Sequence, residues 1–135
     1  MDVVVDEYLL MTYDVVYSFL KYNRWADGWH LHNYCYLLIL DGIIEDVWRD
    51  WNISLGFGAY SWNFEYMLYR LLRIGWLKLS CIEENVDGRT IKLCGAYVLP
   101  NNAVKPKSLI ISRYIKRKTD LIELVYKKVE DHSNK

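Results

Sequence analysis

Glutamine occurs nowhere in this chain, and other signals are missing with it. Charge interrupts every apolar run before it reaches the roughly 20 residues of a membrane-spanning helix, so a cytoplasmic chain with no membrane contact is expected. No basic stretch followed by an apolar core opens the sequence, because Asp2, Asp6 and Glu7 stand there; no secretory signal is expected. There is no Gly-rich phosphate loop, and no Ser-His-Asp or Cys-His spacing stands out. The expectation is a chain that is not an enzyme and carries no cofactor. Neither an internal repeat nor a linker divides its 135 residues. The missing glutamine, beside plentiful Ile, Lys, Glu and Tyr, leans towards a thermophile, where labile amides are depleted.

What the chain does have is apolar bulk: 53% hydrophobic and 16% aromatic residues exclude a disordered chain. The clearest stretch runs from Gly58 to Leu99. Ser61 is a good helix N-cap, and Glu65 suits the positive end of the helix dipole. Phe64, Met67, Leu68, Leu71 and Leu72 then recur at the spacing of one buried helical stripe, and Gly75 ends the helix. Two apolar runs follow, Trp76 to Ile82 and Ile91 to Leu99, joined at the hairpin dipeptide Asp87-Gly88. A helix running into a hairpin is the second half of a winged helix-turn-helix. Upstream, Asp6 to Tyr22 reads as a helix with Leu9, Tyr13, Val16 and Leu20 inward, broken at Asn23-Arg24. Asp27 caps a second helix that runs to about Leu40 with Leu31, Tyr34, Cys35 and Leu38 inward. Trp51 to Phe57 alternates with period two and reads as one short strand, with Trp51, Ile53, Leu55 and Phe57 on one face. After the turn signal at Pro100, the chain reads as helical from Ser108, with a possible break at Thr119-Asp120, and frays from Asp131. The fold class expected is α+β, winged helix-turn-helix-like: a helical core with a β-hairpin wing and an additional C-terminal helix. Residues 1–104 form the winged-helix-like domain, and 105–135 a basic helical extension packed on it.

Charge is unevenly spread. Residues 1–60 carry nine acids against three bases, net −6, and residues 61–135 carry eight acids against fourteen bases, net +6. Lys105, Lys107, Arg113, Lys116, Arg117 and Lys118 fall together, as an anion-binding patch, as the solvated face of a surface helix, or as a partner for the acidic first half. On the Ser61 helix, Trp62, Tyr66, Tyr69 and Arg73 lie opposite the core stripe with Arg70 to one side. That set suits nucleic acid by stacking and phosphate pairing, suits a protein interface, and equally suits burial under the C-terminal helix. The candidate nucleic-acid or partner-binding residues are therefore Trp62, Tyr66, Tyr69, Arg70, Arg73, Arg113, Lys116, Arg117 and Lys118. The connection from Gly42 to Tyr60 is long for a helix-turn-helix, and Glu83, Glu84 and Asp87 make the wing tip acidic. No metal site is expected. His30 and His32 point to different faces of a helix, and Asp41, Glu45, Asp46 and Asp50 read as a solvated loop.

The run Leu31-His32-Asn33-Tyr34-Cys35-Tyr36-Leu37-Leu38, followed by Gly58-Ala59-Tyr60-Ser61, resembles Panacea-type phage-associated proteins and related archaeal winged-helix proteins over roughly residues 28–80. Those carry a Leu-Gln-Lys helix and then a Tyr-Gly-Pro-hydrophobic-Ser segment; here His32-Asn33 stand for Gln-Lys and Ala59 for the proline. The resemblance implies a winged helical core in a prokaryotic or viral regulator, or in an antitoxin-like partner protein, without catalytic residues. The expected function is winged-helix DNA binding and transcriptional regulation, with double-stranded DNA as partner. The alternative is a non-catalytic protein–protein interaction module. A homodimer is expected, joined through the apolar stripe of the terminal helix. Finally, if Asp87-Gly88 is a two-residue turn, cross-strand partners have numbers summing to 175. This sets Cys81 opposite Cys94 at a non-hydrogen-bonded pair, with Leu79 opposite Ala96 and both sulfurs towards the core, within disulfide reach. Two reduced buried thiols, the usual state in a cytosolic protein, are the leading reading, and a disulfide is the candidate beside it.

Overall fold

A computed structural model describes residues 6–54, 56–106 and 121–133. Helix α1 (Glu7–Asn23) starts where the Asp6 carboxylate accepts the Leu9 N–H at 2.8 Å. It ends where Arg24 turns to φ 68°. Helix α2 (Gly28–Leu40) opens on a capping box: Asp27 accepts the His30 N–H, and the His30 ring accepts the Asp27 N–H. The expected stripes of both helices are buried together, with Leu9, Val16, Leu31, Tyr34, Cys35 and Leu38 wholly enclosed. Helix α3 (Trp62–Arg73) crosses them. Ser61 caps it through the Phe64 N–H, and Phe64, Leu68 and Leu71 are fully buried, each contributing roughly 2 kcal/mol by leaving water. No described helix is long and apolar enough to cross a membrane.

The single strand expected at Trp51 to Phe57 is instead a hairpin. Strand β1 (Trp51–Ser54) pairs antiparallel with β2 (Gly58–Ser61), Trp51 opposite Ser61 and Ser54 opposite Gly58. The period-two pattern does not mark a buried face. Trp51 is half-buried, while Ile53 and Phe57 are exposed, because the hairpin packs on α2 mainly through β2. Leu55 lies outside the described residues.

Strands β3 (Lys78–Val86) and β4 (Arg89–Val98) form a long ribbon turning at Asp87-Gly88, both with positive φ (51° and 79°), as a type I′ turn needs. Val86 faces Arg89, Glu83 faces Lys92 and Ile82 faces Leu93, as the hairpin arithmetic requires. Below Ile82 the register slips by one: Ser80 faces Ala96 and Leu79 faces Tyr97, so the expected Leu79–Ala96 pair is not formed. One β4 residue is extra there, and Gly95, at φ 81°, stands beside Cys94 in that bulge. The Cys81–Cys94 disulfide is present, with Cα atoms 3.9 Å apart. Its sulfurs do not point into the core; both cysteines are exposed, because the ribbon projects from the body and only Leu77 and Ala96 at its base are buried. Among the described residues a single isolated bridge, Ala26 with Tyr97, ties β4 to the link between α1 and α2.

Helix α4 (Leu121–Ser133) runs on past Asp131, where fraying was expected, and packs on α2 and β2. Leu121 and Val125 are buried there, and the Lys128 ammonium meets the Asp41 carboxylate at 2.5 Å. The face of this helix that carries Leu121 and Val125 is thus covered within the chain and is not the open dimer surface expected of it, while the part of the expected stripe before Leu121 lies outside the described residues. The expected start at Ser108, the break at Thr119-Asp120, and Lys107, Arg113, Lys116, Arg117 and Lys118 lie outside the described residues.

Candidate interaction surface

Two buried polar side chains, neither expected as such, set the position of α3. His32 and Asn33 sit on α2 between core residues and are almost wholly enclosed. The Ser61 N–H donates to His32 Nδ1 at 3.2 Å, so Nε2 carries the proton and donates to the Glu65 carboxylate at 2.7 Å. The same ring stacks on Tyr60 at 4.4 Å and meets Phe64 edge-on. Asn33 closes the β1–β2 turn. Its Oδ1 accepts the Ala59 N–H at 2.8 Å, and its Nδ2 donates to the carbonyls of Phe57 and Trp29. An apolar helix surrounded by core leaves its polar residues nowhere to go but inward. That was the signal available in Leu31-His32-Asn33-Tyr34.

The acidic loop is not merely solvated. Asp46 accepts from the backbone of Trp48 and Arg49 and from the Trp51 indole. Asp50 accepts from the Ser61 hydroxyl and from the Asn63 N–H, placing negative charge at the start of α3. Asn63 reaches back to the Trp48 carbonyl, and the buried Trp48 indole donates to the Thr12 hydroxyl. The Asp46 bonds to Trp48 and Arg49 shape the loop itself; the bonds of Asp50 and Asn63 join that loop to the start of α3, and Trp48 anchors it to α1. His30 and His32 take different partners, and the described residues hold no group of three or more His, Cys, Asp and Glu side chains placed to hold a metal.

On this frame the outward face of α3 is open. Trp62, Tyr66 and Tyr69 are 69%, 59% and 52% exposed, and among the described residues α4 does not cover them. Trp62 continues an aromatic path across the hairpin: it meets Tyr60 edge-on at 5.2 Å, and Trp29 stacks on Phe57 at 4.1 Å. The two arginines are already engaged. Arg70 is half-buried and pairs with Asp6 at 2.9 Å. Arg73 receives no cover, but its guanidinium lies over the Tyr69 ring, 5.7 Å from the centroid, and donates to the Tyr69 hydroxyl at 3.0 Å. The surface is therefore aromatic first and cationic second. Of the acids near the tip of the β3–β4 ribbon, Glu84 accepts from the Trp25 indole at 2.6 Å, and Glu83 and Asp87 are exposed. Compared with protein-family models, curated proteins and solved structures, the chain matches none.

Proposed function

We propose that this chain is a non-catalytic protein-docking module built on a winged-helix plan, with the outward stripe of α3 as its docking face. The plan is read from connectivity: α1, a one-residue strand at Ala26 bridged to Tyr97 on β4, then α2, α3 and the β3–β4 ribbon. The β1–β2 hairpin takes the place of the short turn that ordinarily precedes the third helix. The observation that carries the docking reading is the stripe itself. Trp62, Tyr66 and Tyr69 offer three half-open rings on a rigid helix, and Trp, Tyr and Arg are the residues that anchor protein interfaces. Phosphate needs uncommitted cations, whereas Arg70 is spent on Asp6, Asp50 and Glu65 flank the start of the helix, and the wing tip is acidic.

A second reading, duplex DNA with α3 in the major groove, is favoured by one observation: α3 follows α2 and runs into the β3–β4 ribbon, the order in which a winged helix-turn-helix would carry its recognition helix. Photo-cross-linking separates the two. A photoreactive phenylalanine at Tyr66, in cells that make the protein, is expected to give protease-sensitive adducts absent when the probe stands at exposed Lys21 on α1. Nuclease-sensitive adducts at position 66 would refute the docking reading.

A further inference from the structure

We infer that the partner of the α3 face is a second copy of this chain, joined through antiparallel pairing of the two α3 helices. This inference rests on the docking reading above. Its basis is that the stripe is self-complementary. Trp62, Tyr66, Tyr69 and Arg73 follow one another at steps of four, three and four residues, so they form one line along the helix, about 16 Å from end to end. An isologous two-fold contact between antiparallel helices pairs positions whose numbers sum to a constant. Centring the axis on this line sets Tyr66 against Tyr69 of the partner, twice, and Trp62 against Arg73 of the partner, twice. The chemistry matches at each place. Tyrosine rings meet in the middle, where offset or edge contacts form. At both ends a guanidinium meets an indole, the strongest of the aromatic faces for a cation.

Arg73 is prepared for that role. The Tyr69 ring and hydroxyl hold its guanidinium at the end of the stripe, exposed to solvent. The reversed arrangement, with parallel helices in register, would stack Arg73 on Arg73 and lose both cation–π contacts. Area is sufficient for a modest affinity. Each ring carries roughly 150–250 Å² and more than half of that is open, so two copies with their flanking residues approach the ~1,000 Å² of a weak, specific interface. Such pairing consumes the face that a recognition helix would offer to DNA.

The experiment uses the purified full chain. Light scattering coupled to gel filtration, from low to several hundred micromolar, is expected to show a concentration-dependent rise from 16.2 kDa towards twice that mass. Tyr66→Ala with Tyr69→Ala should hold the chain at the monomer mass with an unchanged circular dichroism spectrum. Arg73→Glu should raise the dimer Kd by roughly five-fold or more, since two cation–π contacts are lost per dimer. Register is read by mixing Trp62→Cys chains with Arg73→Cys chains under mild oxidation: the mixed disulfide should form faster than either homodisulfide. Cys35 is buried and Cys81–Cys94 already bonded, so neither competes. A monomer at every concentration, a dimer that survives the tyrosine substitutions, or homodisulfides forming as fast as the mixed one would each overturn self-pairing. A monomer whose position 66 still cross-links to another protein sinks this inference alone; nuclease-sensitive adducts sink the docking reading as well.

Discussion

Replacing Gly58 with alanine tests how the hairpin is held to α2. A Cβ at that position would lie 2.1 Å from Asn33 Oδ1, 3.0 Å from its Cγ and 3.2 Å from its Nδ2. Gly58 also sits at φ +77°, where an L side chain costs about 1–2 kcal/mol. The Asn33 amide cannot swing aside cheaply. It is fully buried, and moving it unpairs the Ala59 N–H or the Phe57 carbonyl, at about 1–3 kcal/mol for a buried group left without a partner. The expected loss is about 3–4 kcal/mol, or a fall in Tm of roughly 10–15 °C for a domain of this size. Gly56→Ala is the control: φ is +89°, but no heavy atom lies within 4 Å, so only the conformational cost applies. Thermal and urea unfolding of both variants, each also in an Asn33→Ala background, completes a double-mutant cycle. The clash disappears with the Asn33 amide, so Gly58→Ala should cost less there. A Gly58→Ala protein as stable as Gly56→Ala, or a penalty unchanged in the Asn33→Ala background, would refute the reasoning.

Other outcomes follow from single contacts. Alkylation of the denatured, unreduced protein should label one cysteine, Cys35, and three after reduction; three without reductant would mean the Cys81–Cys94 bond does not form. Because both sulfurs face solvent, a small thiol or phosphine should reduce the bond in the folded state, and unfolding should then require up to about 3 kcal/mol less. The hydrogen bond from Arg70 holds the Asp6 carboxyl below its usual value, so this contribution is present above the unfolded pKa of about 3.9 and is lost as pH falls through the folded one. Asp6 is 38% exposed, so Asp6→Asn should cost less than ~1 kcal/mol, Asp6→Ala about 1 kcal/mol more through the lost cap, and the wild-type and Asn curves should converge in acid; parallel curves would remove the pairing argument. Burial pushes the Tyr34 phenol far up and the Tyr97 phenol up to about 12, so stability is full below pH ~10, where unfolded tyrosines titrate, and falls as pH rises towards 12. Tyr34→Phe should delay that alkaline unfolding and, since its buried hydroxyl has no partner among the described residues, cost nothing at neutral pH; a loss above ~1 kcal/mol would show that the hydroxyl is bonded in solution.

Helices α1 and α3 were legible because each has one face in water and one in the core, a difference written at a period of 3.6. Helix α2, apolar on nearly every side, was legible from the Asp27 cap at its start and Gly42 after its end. Ser61, Asp27 and Asp6 also announce their helix starts with short acceptors that the backbone then uses. The ribbon was legible as far as Ile82, because a two-residue turn fixes the pairing that grows from it. It stopped being legible at Gly95. Glycine marks a bulge, but also a loop, a turn or a close approach, and nothing beside it in the sequence chooses among them. One extra residue there reassigns every pair below it, and the inference that the sulfurs point inward failed with the ribbon's projection into solvent. The disulfide survived both errors because Cys81 and Cys94 lie inside the irregular stretch between the Ile82–Leu93 and Ser80–Ala96 pairs and still sit across from each other there, Cα atoms 3.9 Å apart.

The β1–β2 hairpin was missed for a different reason, which bears on what α3 presents. A strand buried on one face alternates, but so does a hairpin whose apolar residues stay in the open, as Ile53 does and as Phe57 does while stacking on Trp29 of α2. What holds this hairpin is polar: Asn33 at its turn, His32 and Asp50 at its exit into α3. An ordinary helix-turn-helix sets its third helix by direct packing on the second, through a turn too short to add anything. Here the hairpin stands between the two, and its hydrogen bonds fix where α3 begins. Asp50 and Glu65 are the acceptors that do this, and both are acids at the helix N-terminus, the end a recognition helix points at base edges. The groups that position α3 are thus the groups that make its leading end unfavourable for a phosphate backbone. They leave the flank from Trp62 to Arg73 as the exposed side of the helix, the side on which the proposed docking rests.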